Sequence, residues 1–156
     1  LGDVYKRQYL GYIEEAFLAY KTERYNIKGK DVVAGNCKYY LNDLSFKNFL
    51  YPGFAYGVGY LLENAVYLEL RRLGYIVYTG SFRDKEVDFV AMKDDRVIYL
   101  QATYMLETAQ TMEREYAPLL TIGDNYEKYV VSMDEVQFPS NEGVRHIQAW
   151  NLKEIL

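Results

Sequence analysis

From Val58 onward the apolar residues Leu61, Leu62, Ala65, Val66, Leu70 and Leu73 recur at about 100° per residue, predicting one long amphipathic helix with Gly74 as its C-terminal stop. Three strand-like runs follow, at Tyr75–Thr79, Glu86–Met92 and Arg96–Tyr104, separated by Gly80–Asp84 and Lys93–Asp95. A second helix is predicted from Glu107 to Leu120, broken near Pro118 and closed by Gly123. Tyr129–Met133 and His146–Trp150 read as two more strands, with Asn151 as the N-cap of a short last helix. Upstream, Tyr9–Leu18 has helical spacing, and the runs 17–25 and 31–41 flank a loop in which Gly29 can take positive φ, the pattern of a hairpin. The order is therefore a helix and ribbon, a connecting stretch over 42–53, then α, three β, α, β and one more β, a mixed α/β sheet protein.

Register turns this outline into a candidate site. If Asp94 and Asp95 form a two-residue turn, Asp88 lies opposite Gln101 and Glu86 opposite Thr103. Alternation then places Val87, Phe89, Ala91, Ile98, Leu100 and Ala102 on one apolar face, and Glu86, Asp88, Gln101 and Thr103 together on the other. Directly opposed Cβ atoms lie about 4.5–5.5 Å apart, close enough for Asp88 and Gln101 to share one ion or bond each other. A hard cation such as Mg²⁺ takes oxygen ligands, and Asp88, Glu63 on the long helix and the Gln101 carbonyl are its candidate donors. Glu69 is the rival helical acid. No lysine stands at Thr103, where a cation beside the nucleophile would be needed; Lys85 and Lys93 fall on the core-facing side of their strand.

Composition narrows the chemistry. With 156 residues, half of them apolar, one sizeable core is affordable, and a net charge of −4 gives bulk polyanion binding no support. The lone Cys37 excludes an internal disulfide and a thiolate zinc site, no apolar run is long enough to span a bilayer, and a reducing cytoplasm is the expected compartment. The single His146 excludes a His cluster and leaves one conceivable triad base, though it reads as a satisfied strand residue, and Trp150 reads as core. Lys21, Arg24, Lys28, Lys30 and Lys38 interleave with tyrosines on the ribbon, a composition that suits either phosphate contact or a solvated, lysine-guarded edge.

Several stretches also carry a resemblance. Gly59–Leu73, Glu86-Val-Asp88-Phe-Val, Ile98-Tyr-Leu-Gln101, Thr111–Glu115 and Asp124–Val130 resemble the C-terminal domain of unknown function of a group of prokaryotic AAA+ ATPases, over residues 9–151. That resemblance implies a PD-(D/E)XK, restriction-endonuclease-like αβββαβ core over 54–156, preceded by a winged-helix-like linker subdomain over 9–53. It implies a degenerate catalytic site of Glu63, Asp88, Gln101 and Thr103, with glutamine and threonine in place of the second acid and the lysine. It further implies Mg²⁺ at Glu63, Asp88 and Gln101, and an ATPase domain in the same full-length chain as partner. No phosphate-binding Gly-x-x-x-x-Gly-Lys-Ser/Thr loop occurs here, so ATP is expected only in a missing N-terminal domain. Residues 1–8, with Asp3-Val-Tyr-Lys-Arg-Gln8, read as a translated sequencing adapter, the natural sequence resuming near Tyr9. The expectation is a non-catalytic accessory domain that recognises nucleic acid or a partner protein. An active Mg²⁺-dependent DNA nuclease using Glu63, Asp88 and Gln101, and a pure protein-interaction module built on the tyrosines, are the alternatives.

Overall fold

A computed structural model describes residues 2–53 and 57–156. Leu1 and residues 54–56, where the second expected domain starts, lie outside the described residues. The chain runs α1 (Gly2–Glu15), β1 (Ala19–Asn26), β2 (Asp31–Leu41), α2 (Ser45–Leu50), α3 (Val58–Arg72), β3 (Ile76–Phe82), β4 (Lys85–Lys93), β5 (Arg96–Ala102), α4 (Ala109–Leu120), β6 (Glu127–Ser132), β7 (Val144–Gln148) and a closing 3₁₀ turn at Ala149–Glu154. Among the described residues, seven strands form one mixed sheet in the order β2-β1-β3-β4-β5-β6-β7. The ribbon expected within a linker subdomain over 9–53 shares this sheet, because β1 runs parallel to β3 through Arg24↔Thr79, Tyr25↔Gly80 and Asn26↔Ser81.

The sheet is covered on both faces, as parallel strands require. Against one face α3 and the 3₁₀ turn bury Leu62, Val66, Tyr67, Leu70 and Leu152 on Phe89, Leu100, Tyr129 and Val131. Against the other, α4 buries Tyr116 and Leu119 on Val87, Val90, Tyr99 and Val130. Helix α3 stops where Gly74 turns to φ +88° and the N–H of Tyr75 reaches back to the Leu70 carbonyl. Helix α4 starts on Thr108, whose hydroxyl accepts the Thr111 N–H.

Several expectations are corrected. Ala65 is exposed and Tyr67 takes its place in the buried stripe. Pro118 sits inside the last turn of α4, so the helix continues to Leu120. In the ribbon turn the positive φ belongs to Lys30, not Gly29. Trp150 is half exposed, and Asn151 lies within the 3₁₀ turn instead of capping a helix.

The β4–β5 register is the expected one, with Phe89↔Leu100 and Lys93↔Arg96 around a turn in which Asp94 adopts φ +51°. Strict alternation along β4 does not hold. Tyr78 pairs with Val90 but Gly80 pairs with Val87, so two residues of β4, Asp88 and Phe89, stand opposite Thr79 alone. This β-bulge flips the alternation: Phe89 and Ala91 enter the α3-side core, whereas Val87 joins Val90 in the α4-side core. Val87 therefore does not share a face with Phe89. A Cβ on Gly80 would come within 2.9 Å of Val90 and 3.0 Å of Val87, so the crowded partner strand needs glycine beside the bulge.

Candidate functional site

The bulge has a chemical consequence, because it turns Glu86 and Asp88 toward the face covered by α3. There they meet Glu63, one turn into that helix, around a shared cation that the sequence reading set on the ribbon. The ammonium of Lys38, on β2, lies 2.9 Å from Glu63 Oε1, 2.9 Å from Glu86 Oε1 and 3.4 Å from Asp88 Oδ1. Glu86 also accepts from Arg24 on β1 at 2.8 Å. Tyr40 donates its hydroxyl to Glu63 Oε1 at 2.7 Å.

Local packing explains why Lys38 arrives there. The Asn64 side chain of α3 accepts the Leu41 N–H at 2.8 Å and donates to the Leu41 carbonyl at 2.9 Å, replacing the strand partner that the end of β2 lacks. The Tyr40 ring stacks on Tyr67, centroids 4.2 Å apart, which fixes β2 against the helix. Between Thr22↔Lys38 and Arg24↔Val33 the ribbon register slips, with the extra residues on β2. Lys38 and Arg24 thus turn inward to carboxylates instead of lining a solvated edge.

Of the residues expected at the site, Glu63 and Asp88 are brought together through Lys38. Gln101 lies next to Asp88 as the register requires, but its Oε1 accepts the Asp88 N–H at 3.3 Å. Thr103 is buried, with its N–H on the Val131 carbonyl, and among the described residues it is not one of the groups that meet Lys38. Glu69 is held by Arg72 on the helix surface. Pattern reading set Lys38, Arg24 and the ribbon tyrosines apart from the acids, and strict alternation put Glu86 and Asp88 on the face away from Phe89; the bulge brings both to the α3 side.

The electrostatics follow from burial. At Asp88, desolvation and the like charge of Glu63 outweigh Lys38 and the Ala102 N–H that bonds Oδ2 at 2.9 Å, and the carboxyl is pushed up to about 7. At Lys38 burial works against the charge, but Asp88 and Glu63 overcome it and raise the ammonium's pKa. Glu86 is opposed by its own desolvation, yet hydrogen bonds from Lys38 and Arg24 hold it below the usual range. Burial, then Glu63, pushes the Tyr40 phenol upward, so it remains a donor.

The donors are hard oxygens of the kind Mg²⁺ takes, and Glu63, Glu86 and Asp88 fit that ion in kind and charge. Among the described residues no three His, Cys, Asp or Glu side chains are grouped as a ready metal cage; the lysine ammonium holds the carboxylates together.

The other buried polar cluster is structural. His146 Nδ1 accepts the Phe138 N–H at 3.2 Å, so the neutral ring carries its proton on Nε2 and donates to Ser132 Oγ at 2.8 Å. Ser132 in turn donates to Asp134 at 2.7 Å. The serine proton points to the carboxylate rather than the imidazole, the reverse of a nucleophilic triad. Burial lowers the His146 pKa against a smaller opposing effect of Asp134. A depressed histidine adds stability above its unfolded value and loses it as pH falls through the folded value. Nitrogen NMR should therefore find the Nε2–H tautomer and a midpoint below 6.5, with stability declining as pH falls from 6.5 to that midpoint.

No family model matches the chain, and no solved structure does. Among the described residues no helix is long and apolar enough to cross a membrane. An "Uncharacterized protein" of Haemophilus influenzae (strain ATCC 51907 / DSM 11121 / KW20 / Rd) is similar, with 36% identity over 125 residues. The match covers 80% of this chain and 30% of that protein, so the chain spans under a third of the length of its relative.

Proposed function

We propose that this chain is a nuclease-like module of a larger AAA+ ATPase, and that its carboxylate–lysine centre acts on nucleic-acid phosphodiesters with Mg²⁺. The observation that carries the reading is the Lys38 ammonium among Glu63, Glu86 and Asp88. Loss of the cation beside the nucleophile, at Thr103, is what speaks against cleavage, and Lys38 offers that cation from another strand. Glu86 likewise offers the second acid that Gln101 cannot. Bound Mg²⁺ would activate water and stabilise the departing oxygen. Glu63, Glu86 and Asp88 are the residues that would hold it, Tyr40 and Arg24 orient two of them, and Lys38 supplies positive charge to the phosphate. The ATPase attachment rests on the resemblance and on the short share of the longer relative that the chain matches. A cytoplasmic setting suits the single unpaired Cys37.

A second reading has its own support. Lys38 already bridges the acids and Gln101 is committed to a backbone N–H, an arrangement that also suits a module that recognises nucleic acid or a partner protein without turnover. Incubation of the purified chain with plasmid and single-stranded DNA in Mg²⁺ separates the two. Cleavage that needs the metal and disappears in Asp88→Ala supports the first. Metal-independent cleavage, or equal cleavage by Asp88→Ala, would be contamination and would sink it.

A further inference from the structure

Beside the carboxylate–lysine centre opens a cavity of about 470 Å³ whose wall includes Lys38 and Glu63 themselves. Its remaining surface is largely aromatic and aliphatic, with Tyr39, Phe46, Tyr51 and Tyr60 contributing rings, and it also includes Lys47 and Asn64. These rings are not a packed core: Tyr60 is 72% and Tyr51 60% exposed.

We infer that this cavity receives unpaired nucleobases of a single-stranded nucleic acid whose backbone phosphate lies at Lys38. The inference rests on the phosphodiester reading and names its substrate class. A ligand that is apolar and flat in one part and anionic in the adjoining part matches a cavity walled by rings that also includes the Lys38 and Lys47 side chains. Bases paired in a duplex stack on each other and present only edges and phosphates, so they cannot enter. Each base stacked on an aromatic side chain contributes about 1–3 kcal/mol whatever its identity. The chain's net charge of −4 makes such stacking necessary, because general phosphate attraction is weak.

The test measures fluorescence-anisotropy binding of a short oligothymidylate, an abasic oligonucleotide of equal length and a blunt duplex, with Ca²⁺ in place of Mg²⁺. The oligothymidylate should bind at least about fivefold more tightly than the other two. Tyr60→Ala, at an exposed position that leaves the core intact, should weaken the oligothymidylate about fivefold or more and leave the abasic strand unchanged. Equal binding of normal and abasic strands, preference for duplex, or indifference to Tyr60→Ala overturns the subsite while leaving the phosphodiester reading in place. Failure to bind any of the three overturns that reading as well.

Discussion

Lys38→Met is expected to abolish Mg²⁺-dependent cleavage, by about a hundredfold or more, and to destabilise the chain by roughly 2–3 kcal/mol at pH 8. The substitution keeps the aliphatic stem that packs in β2 and removes only the charge. Three carboxylates then face one another, two of them with side chains only 12% and 11% exposed, Glu63 and Asp88. Removing one partner of a buried ion cluster costs more than the cluster ever contributed, because the stranded charges stay desolvated. The partial exposure of Lys38 and Glu86 to water moderates the cost. Acidification should relieve it, since protonated carboxyls need no counter-ion, so the deficit measured by urea unfolding shrinks between pH 8 and pH 5. Adding Asp88→Asn to Lys38→Met should recover much of the stability and none of the cleavage, a coupling that independent sites would not show. A Lys38→Met chain that cleaves at the wild-type rate would remove the lysine from the chemistry.

Asp88→Asn alone should do the opposite to stability. The Asp88 carboxyl is pushed up to about 7 by burial and by Glu63, from an ordinary value near 3.8. An acid with a raised folded pKa holds its proton more tightly folded than unfolded, so ionising it costs stability as pH climbs from about 4 to 7. Asparagine resembles the neutral acid, and an amide oxygen can still accept the Ala102 N–H. The variant should match the wild type below about pH 4, gain with rising pH, and level off above 7 with an advantage on the order of 2–4 kcal/mol. In melting temperature that is several degrees or more for a chain of this size. Mg²⁺ should narrow the gap by stabilising the wild type and not the variant, a readout that needs no turnover. Equal melting temperatures at pH 8, with no response to Mg²⁺ in either chain, would mean that Asp88 is neither strained nor a metal ligand. The pair of substitutions thus distinguishes a cation that holds the acids together from an acid kept at a cost to folding for the sake of its chemistry.

Local pattern carried the architecture a long way. The α3 stripe, the stop at Gly74 and the β4–β5 register could each be read from residues close in sequence, because helix periodicity, a glycine cap and a short hairpin turn are local devices. That register alone placed Asp88 next to Gln101, and the contact between the Asp88 N–H and Gln101 Oε1 follows from it. Alternation failed at Val87, where the bulge opposite Thr79 adds a residue that no turn or glycine within β4 announces. Gly80, on the neighbouring strand, was the one trace of it, and its meaning depends on which strand it faces.

By itself the sequence determined a mixed α/β sheet, the helix that carries Glu63 and the hairpin that carries Asp88, since each depends on contacts within a few residues of the chain. Only the tertiary structure decided what surrounds those acids. Lys38 is separated from Glu63 by 25 residues and from Asp88 by 50, and it reaches both because β1 joins β3 and Asn64 holds the end of β2 against α3. Long-range pairing of this kind is set by which edges and faces can be buried together, a property of the whole sheet that no single segment encodes.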